Sequence, residues 1–172
     1  MNALCLVAHP DDCVIFGYSY IHNHPEMNWT ICYLTYCEWE PRAKELKEFW
    51  SKRGITCIFL GYTDDYRDIE NNKISFNQEQ ARREIGNIIN SYELVLTHDE
   101  NGDYGHIHHV FVHDCARDHH NLTTFANLNS GTVSYTIPTG TYTLEELPQH
   151  GDVIKSFFPG GIHMNNYTEV NK

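Results

Sequence analysis

A chain of 172 residues with 41% hydrophobic content has the size of one domain and can bury a core without disulfide staples, so a single domain over residues 1–172 is expected. Its net charge of −11 argues against a duplex nucleic-acid binder, whose phosphate contacts need clustered Lys and Arg, and against docking on anionic membranes. No apolar stretch approaches the ~20 residues of a membrane span, and Met1 leads directly into a short apolar run without a basic leader.

In chain order, Ala3 to Ala8 (ALCLVA) is a continuous apolar run and reads as a buried strand. It meets HPDD, where Pro10 suits a first helical turn and Asp11 and Asp12 suit a helix N-terminus. A helix follows from Cys13 to about His22, with Val14, Ile15, Tyr18 and Ile21 at helical spacing. Trp29 to Tyr36 is a second strand, Pro41 opens a helix through about Arg53 with Gly54 as its cap, and Ile55 to Leu60 is a third strand. Gly61 to Ser75 reads as a polar loop. A helix over Asn77 to Asn90 precedes a fourth strand, Glu93 to Thr97. A loop from His98 to Gly105 leads into a helix from His106 to about His119. Beyond it the pattern weakens: Thr132 to Ile137 reads as a fifth strand, and the tail from Pro148 has no clear assignment. Strands alternating with helices imply a mostly parallel sheet covered on both faces, an α/β three-layer Rossmann-like fold. Ligands in such folds bind beyond the carboxyl ends of the strands, and HPDD and HDENGDYGHIHH both fall there.

The six cysteines (Cys5, Cys13, Cys32, Cys37, Cys57 and Cys115) form no C-x-x-C pair, so no structural zinc knuckle is expected. Cys5, Cys32 and Cys57 lie in apolar runs and read as reduced core residues, which points to a cytoplasmic setting. The 12 histidines matter only where they converge. His9 and Asp12 lie three residues apart across a strand-to-helix turn, and His106 and His109 lie one helical turn apart. His9, Asp12 and His109 would give three protein ligands and an open position, the catalytic zinc arrangement, although iron or cobalt could occupy the same N/O site. Asp11 is then the general base and His106 the partner of the oxyanion. Taken alone, HPDD could be a helix cap and HxxH two surface histidines. Their placement after two buried strands on one rim favours the joint reading.

At these residues the chain resembles the PIG-L/LmbE family of N-acetylglucosaminyl deacetylases. The family's AHPDD motif stands here as Ala8-His9-Pro10-Asp11-Asp12, and its GHxxH motif as Gly105-His106-Ile107-His108-His109, within the longer match Thr97 to His113. The resemblance covers residue 1 to about 115. It implies one zinc on His9, Asp12 and His109, Asp11 as base, His106 beside the oxyanion, and Tyr104 near the substrate carbonyl. It also implies substrate contacts from Asp64, in an LGxxD-like turn, and from Arg42. The implied reaction is hydrolysis of the acetamide of an N-acetylated sugar-type small molecule, with a homo-oligomer possible.

Two departures stand out. Cys13 replaces a Glu, and Ile107-His108 replaces Pro-Asp, so His106 needs another orienting group, for which Asp103, Asp114 and Asp118 are candidates. The chain is also shorter than typical members after GHxxH, which predicts a more open pocket or one completed by a second subunit. Competing readings are a related zinc amidase cutting a non-sugar amide and a catalytically idle metal- or ligand-binding domain. A nucleotide-binding Rossmann domain is disfavoured, because the first turn lacks GxGxxG and carries two carboxylates. Tyr36, Trp39, Tyr62, Tyr66 and Tyr104 are expected in rim segments, where ring faces can pack on a sugar.

Overall fold

The computed structural model describes residues 1–126, 131–137, 144–158 and 163–171. Among these, seven strands form one sheet in the order β3-β2-β1-β4-β5-β7-β6. Strands β1 (Asn2–Val7), β2 (Asn28–Thr35), β3 (Thr56–Tyr62), β4 (Leu94–Thr97) and β5 (Asn121–Ala126) run parallel. The strands β6 (Val133–Ile137) and β7 (His163–Asn171) extend the sheet antiparallel.

The sheet is covered on both faces because β1 is apolar on both. Ala3, Cys5 and Val7 pack in one cluster with Tyr18 and Ile21 of α1 (Tyr18–Asn23) and Leu46, Phe49 and Trp50 of α2 (Pro41–Ser51). Leu4, Leu6 and Ala8 pack in the other, with Ala81, Ile85 and Ile89 of α4 (Gln78–Ile89) and Phe111, Val112 and Ala116 of α6 (Ile107–Ala116). Period-2 alternation thus serves both faces, and the unbroken apolar run follows from it. This is the α/β layering expected from the sequence.

Several expectations change in detail. The segment Gly61–Ser75 is not all loop. It holds the short helix α3 (Tyr66–Asn71), capped by Asp65, whose side chain accepts from Arg67 N. The segment His98–Gly105 contains α5 (Gly102–Gly105), a single turn distorted at Asp103 (φ 64°). The strand expected at Thr132–Ile137 is sixth in chain order and lies at the sheet edge, since β5 precedes it. The tail supplies α7 (Gly151–Phe157) and β7.

The helix expected from Cys13 begins as a π-helical turn, Cys13–Gly17, before α1. Widened turns of this kind disturb the backbone ladder and recur at functional sites. Here β7 supplies the partners: Tyr167 Oη donates to Phe16 O at 2.6 Å, and Asn165 Nδ2 donates to Ile15 O at 3.1 Å. The same Tyr167 oxygen accepts from Tyr20 N at 3.2 Å and pairs with Ser19 Oγ at 2.6 Å, fully buried. Replacing Tyr167 by Phe removes the hydroxyl's bonds to Phe16 O, Tyr20 N and Ser19 Oγ from the interior, with Ser19 Oγ keeping Asn165 Oδ1. The expected loss is about 1–3 kcal/mol of unfolding free energy in urea titration. An unchanged denaturation midpoint would show that β7 does not brace this turn.

A candidate metal centre at the strand ends

Parallel pairing of β1 with β2 and β4 puts the carboxyl ends of these strands on one rim. His9 follows β1, Tyr36 follows β2, Asp64 follows β3 and His98 follows β4. The first turn is pinned to its neighbours: Thr35 N donates to Ala8 O at 3.0 Å, and Ala8 N donates to His98 Nε2 at 3.1 Å. Asp12 Oδ2 folds back to accept from His9 N at 2.8 Å.

Three donor atoms converge on one point. His9 Nδ1 lies 3.2 Å from Asp12 Oδ2 and 3.1 Å from His109 Nε2, and Asp12 Oδ2 lies 3.2 Å from His109 Nε2. Ligands about 2.0 Å from a tetrahedral ion stand roughly 3.3 Å apart, so this near-equilateral triangle fits one face of such a site. His98 and His106 also bring nitrogens close to this cluster, but their lone pairs are committed. His98 Nε2 accepts from Ala8 N, and His106 Nδ1 accepts from His108 N at 3.1 Å, leaving the His106 proton on Nε2.

The electrostatics favour a cation. Burial opposes a proton on His9, yet the Asp12 carboxylate beside it prevails and raises the ring to about 10. Burial likewise opposes a proton on His109, and Asp12 and Asp103 raise it to about 9. Asp12 is itself held well below the usual carboxylate range, the charges of His109 and His9 overcoming its burial. Behind the triangle, His109 Nδ1 meets Asp103 Oδ2 at 2.8 Å, a pairing that turns the Nε2 lone pair toward the cluster. His98 Nδ1 bonds the same oxygen. Gly102 (φ +70°) lets the turn carrying Asp103 press on α6: a Cβ there would lie 2.8 Å from Val110 Cγ2.

A cleft of about 290 Å³ opens over the triangle. Asp11, Arg42, Asp64, Tyr104 and His106 line it with His9 and Asp12, while His109 is fully buried. The structure therefore brings together all eight residues singled out from the sequence. Asp11 is raised above the usual carboxylate range by burial and by the Asp12 charge, against the pull of Arg42, whose Nη2 is 3.4 Å away. Arg42 is held in turn: Nη1 donates to Tyr36 Oη at 2.7 Å and Nε to His150 Nε2 at 3.1 Å, and His150 Nδ1 bonds Glu45. Tyr36 Oη also donates to Asp64 Oδ2 at 3.2 Å. Burial first, then the positive His9 and His109, lowers His106 to about 3.

One expectation needs correcting. The orienting bond of His106 comes from the His108 backbone, not from Asp103, which serves His98 and His109, or from Asp114, which pairs with Arg117. Cys13 points into the core, with Tyr33 Oη at 2.8 Å and Trp50 Nε1 at 3.1 Å. The C-terminal part contributes to the cleft, with Val153 and Phe157 of α7 among its lining residues. Of the rim aromatics, Tyr66 and Tyr104 line the cleft, whereas Trp39 lies elsewhere and Tyr62 bonds Glu84. Sequence reasoning placed Tyr36 on the rim but not its bonds to Arg42 and Asp64, and it missed His98, His150 and the actual role of Asp103.

Comparisons with known proteins bear on the fold and on the family. A relative of unassigned function from Acanthamoeba polyphaga mimivirus is 27% identical over 148 residues, covering 72% of this chain. The chain spans only 61% of that relative's length. In fold, the chain is similar to the 4-carboxy-2-hydroxymuconate hydratase of Pseudomonas putida (TM-score 0.68, 11% identity, covering 99% of this chain and 96% of that one). It is also similar to a teicoplanin-pathway deacetylase in complex with teicoplanin (TM-score 0.57, 12% identity, full coverage of both chains) and to a zinc-inhibited form of teicoplanin deacetylase (TM-score 0.57, 10% identity, full coverage of both). The profile of the PIG-L family, described as GlcNAc-PI de-N-acetylase, matches residues 4–120. With two thirds of its length inside that match and both motifs folded onto one rim, the chain belongs to the PIG-L family.

Proposed function

We propose that this protein is a metal-dependent N-deacetylase that hydrolyses the acetamide of an N-acetylglucosamine-type sugar or sugar conjugate. One observation carries the reading: the buried triangle of His9 Nδ1, Asp12 Oδ2 and His109 Nε2 opens on a cleft in which a further carboxylate, Asp11, adjoins Asp12. A site that only bound an ion would not need that second acid. Two imidazoles and a carboxylate suit zinc, and iron or cobalt fit the same donors.

When bound, the ion supplies a Lewis acid that lowers the pKa of water toward ~7 and polarises the amide carbonyl. Asp11 takes the proton of the attacking water while Arg42 fixes the carboxylate from the side. As the water oxygen bonds the acyl carbon, His106 donates from Nε2 to the developing oxyanion, its Nδ1 being tied to the His108 backbone. The C–N bond then breaks. The proton held on Asp11 passes to the leaving nitrogen, giving acetate and a free amine. In this reading Tyr104, 63% exposed at the mouth, hydrogen-bonds near the carbonyl and Asp64 meets sugar hydroxyls, a reading supported by both lining the cleft.

The cleft mouth also carries Tyr66, Ile69, Val153 and Phe157, all among the exposed large apolar side chains. Their surfaces suit the face of a sugar ring and an apolar group attached to it. Acetate release from zinc-loaded protein, measured over N-acetyl sugars, their apolar glycosides and non-sugar acetamides, tests the substrate class. Turnover of the non-sugar amides alone would replace the sugar reading with that of a general amidase.

Three outcomes are expected for the machinery. Chelation should abolish turnover, and readdition of one equivalent of zinc should restore it; activity that survives dialysis against chelator would remove the metal from the reaction. Asp11→Asn should keep its zinc, by elemental analysis, yet lose about 10²–10⁴-fold in kcat. Asp103→Asn should weaken zinc affinity about 10–100-fold in chelator competition, because His109 loses its charged partner.

A further inference from the structure

Away from the cleft, a line of buried polar groups leads from His9 into the protein. His9 Nε2, the ring nitrogen not engaged with Asp12 and His109, lies 3.2 Å from His108 Nδ1, and His108 Nε2 lies 2.8 Å from Asp68 Oδ2. His108 is fully buried and Asp68 is 2% exposed. Asp68 is anchored where α3 ends: Ser75 Oγ donates to its Oδ2 at 3.2 Å, and Lys73 N donates to its carbonyl at 3.0 Å. Neither His108 nor Asp68 lines the cleft.

Proton placement along this line has one solution once His9 offers Nδ1 to an ion. Its own proton must then sit on Nε2, within reach of His108 Nδ1 at 3.2 Å and Asp64 Oδ1 at 3.4 Å; since a proton on His108 Nδ1 would face that N–H, the His108 proton sits on Nε2 and donates to the Asp68 carboxylate. We propose that Asp68 and His108 are positioning residues forming a carboxylate–imidazole–imidazole relay that fixes the tautomer and orientation of His9 and strengthens it as a metal ligand. The inference rests on the reading of His9 as a ligand. It gives a physical role to the buried histidine inside the GHIHH motif.

A different use of the same atoms would be a second cation held by His9, Asp64 and His108. Asp64 Oδ1 lies 3.4 Å from His9 Nε2 and 3.9 Å from His108 Nδ1. That triangle is wider than a tetrahedral zinc site, and it would require His9 to give up both ring protons. The geometry favours the hydrogen-bonded relay.

Asp68→Asn keeps an acceptor of the same shape and removes the charge, while His108→Gln breaks the line. Zinc affinity by chelator competition should fall about 10–100-fold in each, and the double variant should be no weaker than the weaker single one, as expected of residues acting through one another. Ring ¹⁵N spectra of the zinc-loaded protein should show His9 and His108 both protonated on Nε2. The His9 resonance should shift in Asp68→Asn while the melting temperature of the metal-free protein stays within a few degrees. If His108→Gln does not fold, the isosteric Asp68→Asn carries the test. Equal zinc affinity in wild type and Asp68→Asn would overturn the relay and leave the metal reading standing. Two zinc ions per wild-type chain, one of them lost in His108→Gln, would overturn it in favour of the second cation. A wild-type chain that binds no zinc would remove both readings together.

Discussion

Asp12 Oδ2 lies 3.2 Å from His9 Nδ1 and 3.2 Å from His109 Nε2, with Asp12 only 3% exposed. Taking a carboxylate out of water costs several kcal/mol unless positive charge and hydrogen bonds replace the lost hydration. Asp12 receives one backbone N–H, from His9, and two imidazole nitrogens. Those imidazoles arrive from elements 100 residues apart in sequence, so the carboxylate is stable only if β1, β4 and α6 are correctly packed. The core clusters on both sheet faces are therefore a precondition for the charge arrangement at the rim.

Around that carboxylate the polar groups form a graded support. Asp103 bonds both His98 and His109 through one oxygen, and His98 Nε2 accepts the backbone N–H of Ala8 at the end of β1. The result ties the ends of β1 and β4 to each other through side chains as well as through the sheet. Thr97 Oγ1, donating to Leu6 O at 2.7 Å, adds to the same tie. Rings held on both nitrogens have little rotamer freedom left to lose when a ligand arrives, which is the condition for a preorganised site.

The parts legible in the sequence were those with an undivided local cause. The run from Ala3 to Ala8 could only be a buried strand, and the spacing of Ala81, Ile85 and Ile89 could only serve one helix face. Both motifs followed such elements, so their meeting was foreseeable. The short helix α3 was hidden because its two large apolar side chains, Tyr66 and Ile69, are exposed and its one buried residue is the polar Asp68. Strand β7 was hidden because Asn165 and Asn166 depress strand propensity, and its register is set by pairing with β5 and β6. The contact of His108 with Asp68 had no sequence signal at all, since it depends on how α3 seats against α6. The role of His98 had a faint one: a histidine directly after a buried strand on the functional rim.

The C-terminal part of the chain does two things at once. Tyr167 and Asn165 satisfy the carbonyls freed by the π-helical turn after HPDD, and α7 walls the cleft that this turn helps to form. His150, at the start of α7, holds Arg42, and Arg42 holds Asp11. The position of the proposed base therefore depends on a chain of contacts reaching into the last 25 residues, outside the span that carries the family match. Among the described residues, the hydrogen bonds of the His9, Asp12 and His109 side chains run to one another and to His108, Asp103 and the His9 backbone, all outside that region. Changes in the C-terminal segment can then reshape the cleft and shift Asp11 through Arg42 while the contacts within the His/Asp triangle stay in place, so under the proposed function one frame could face different substrates.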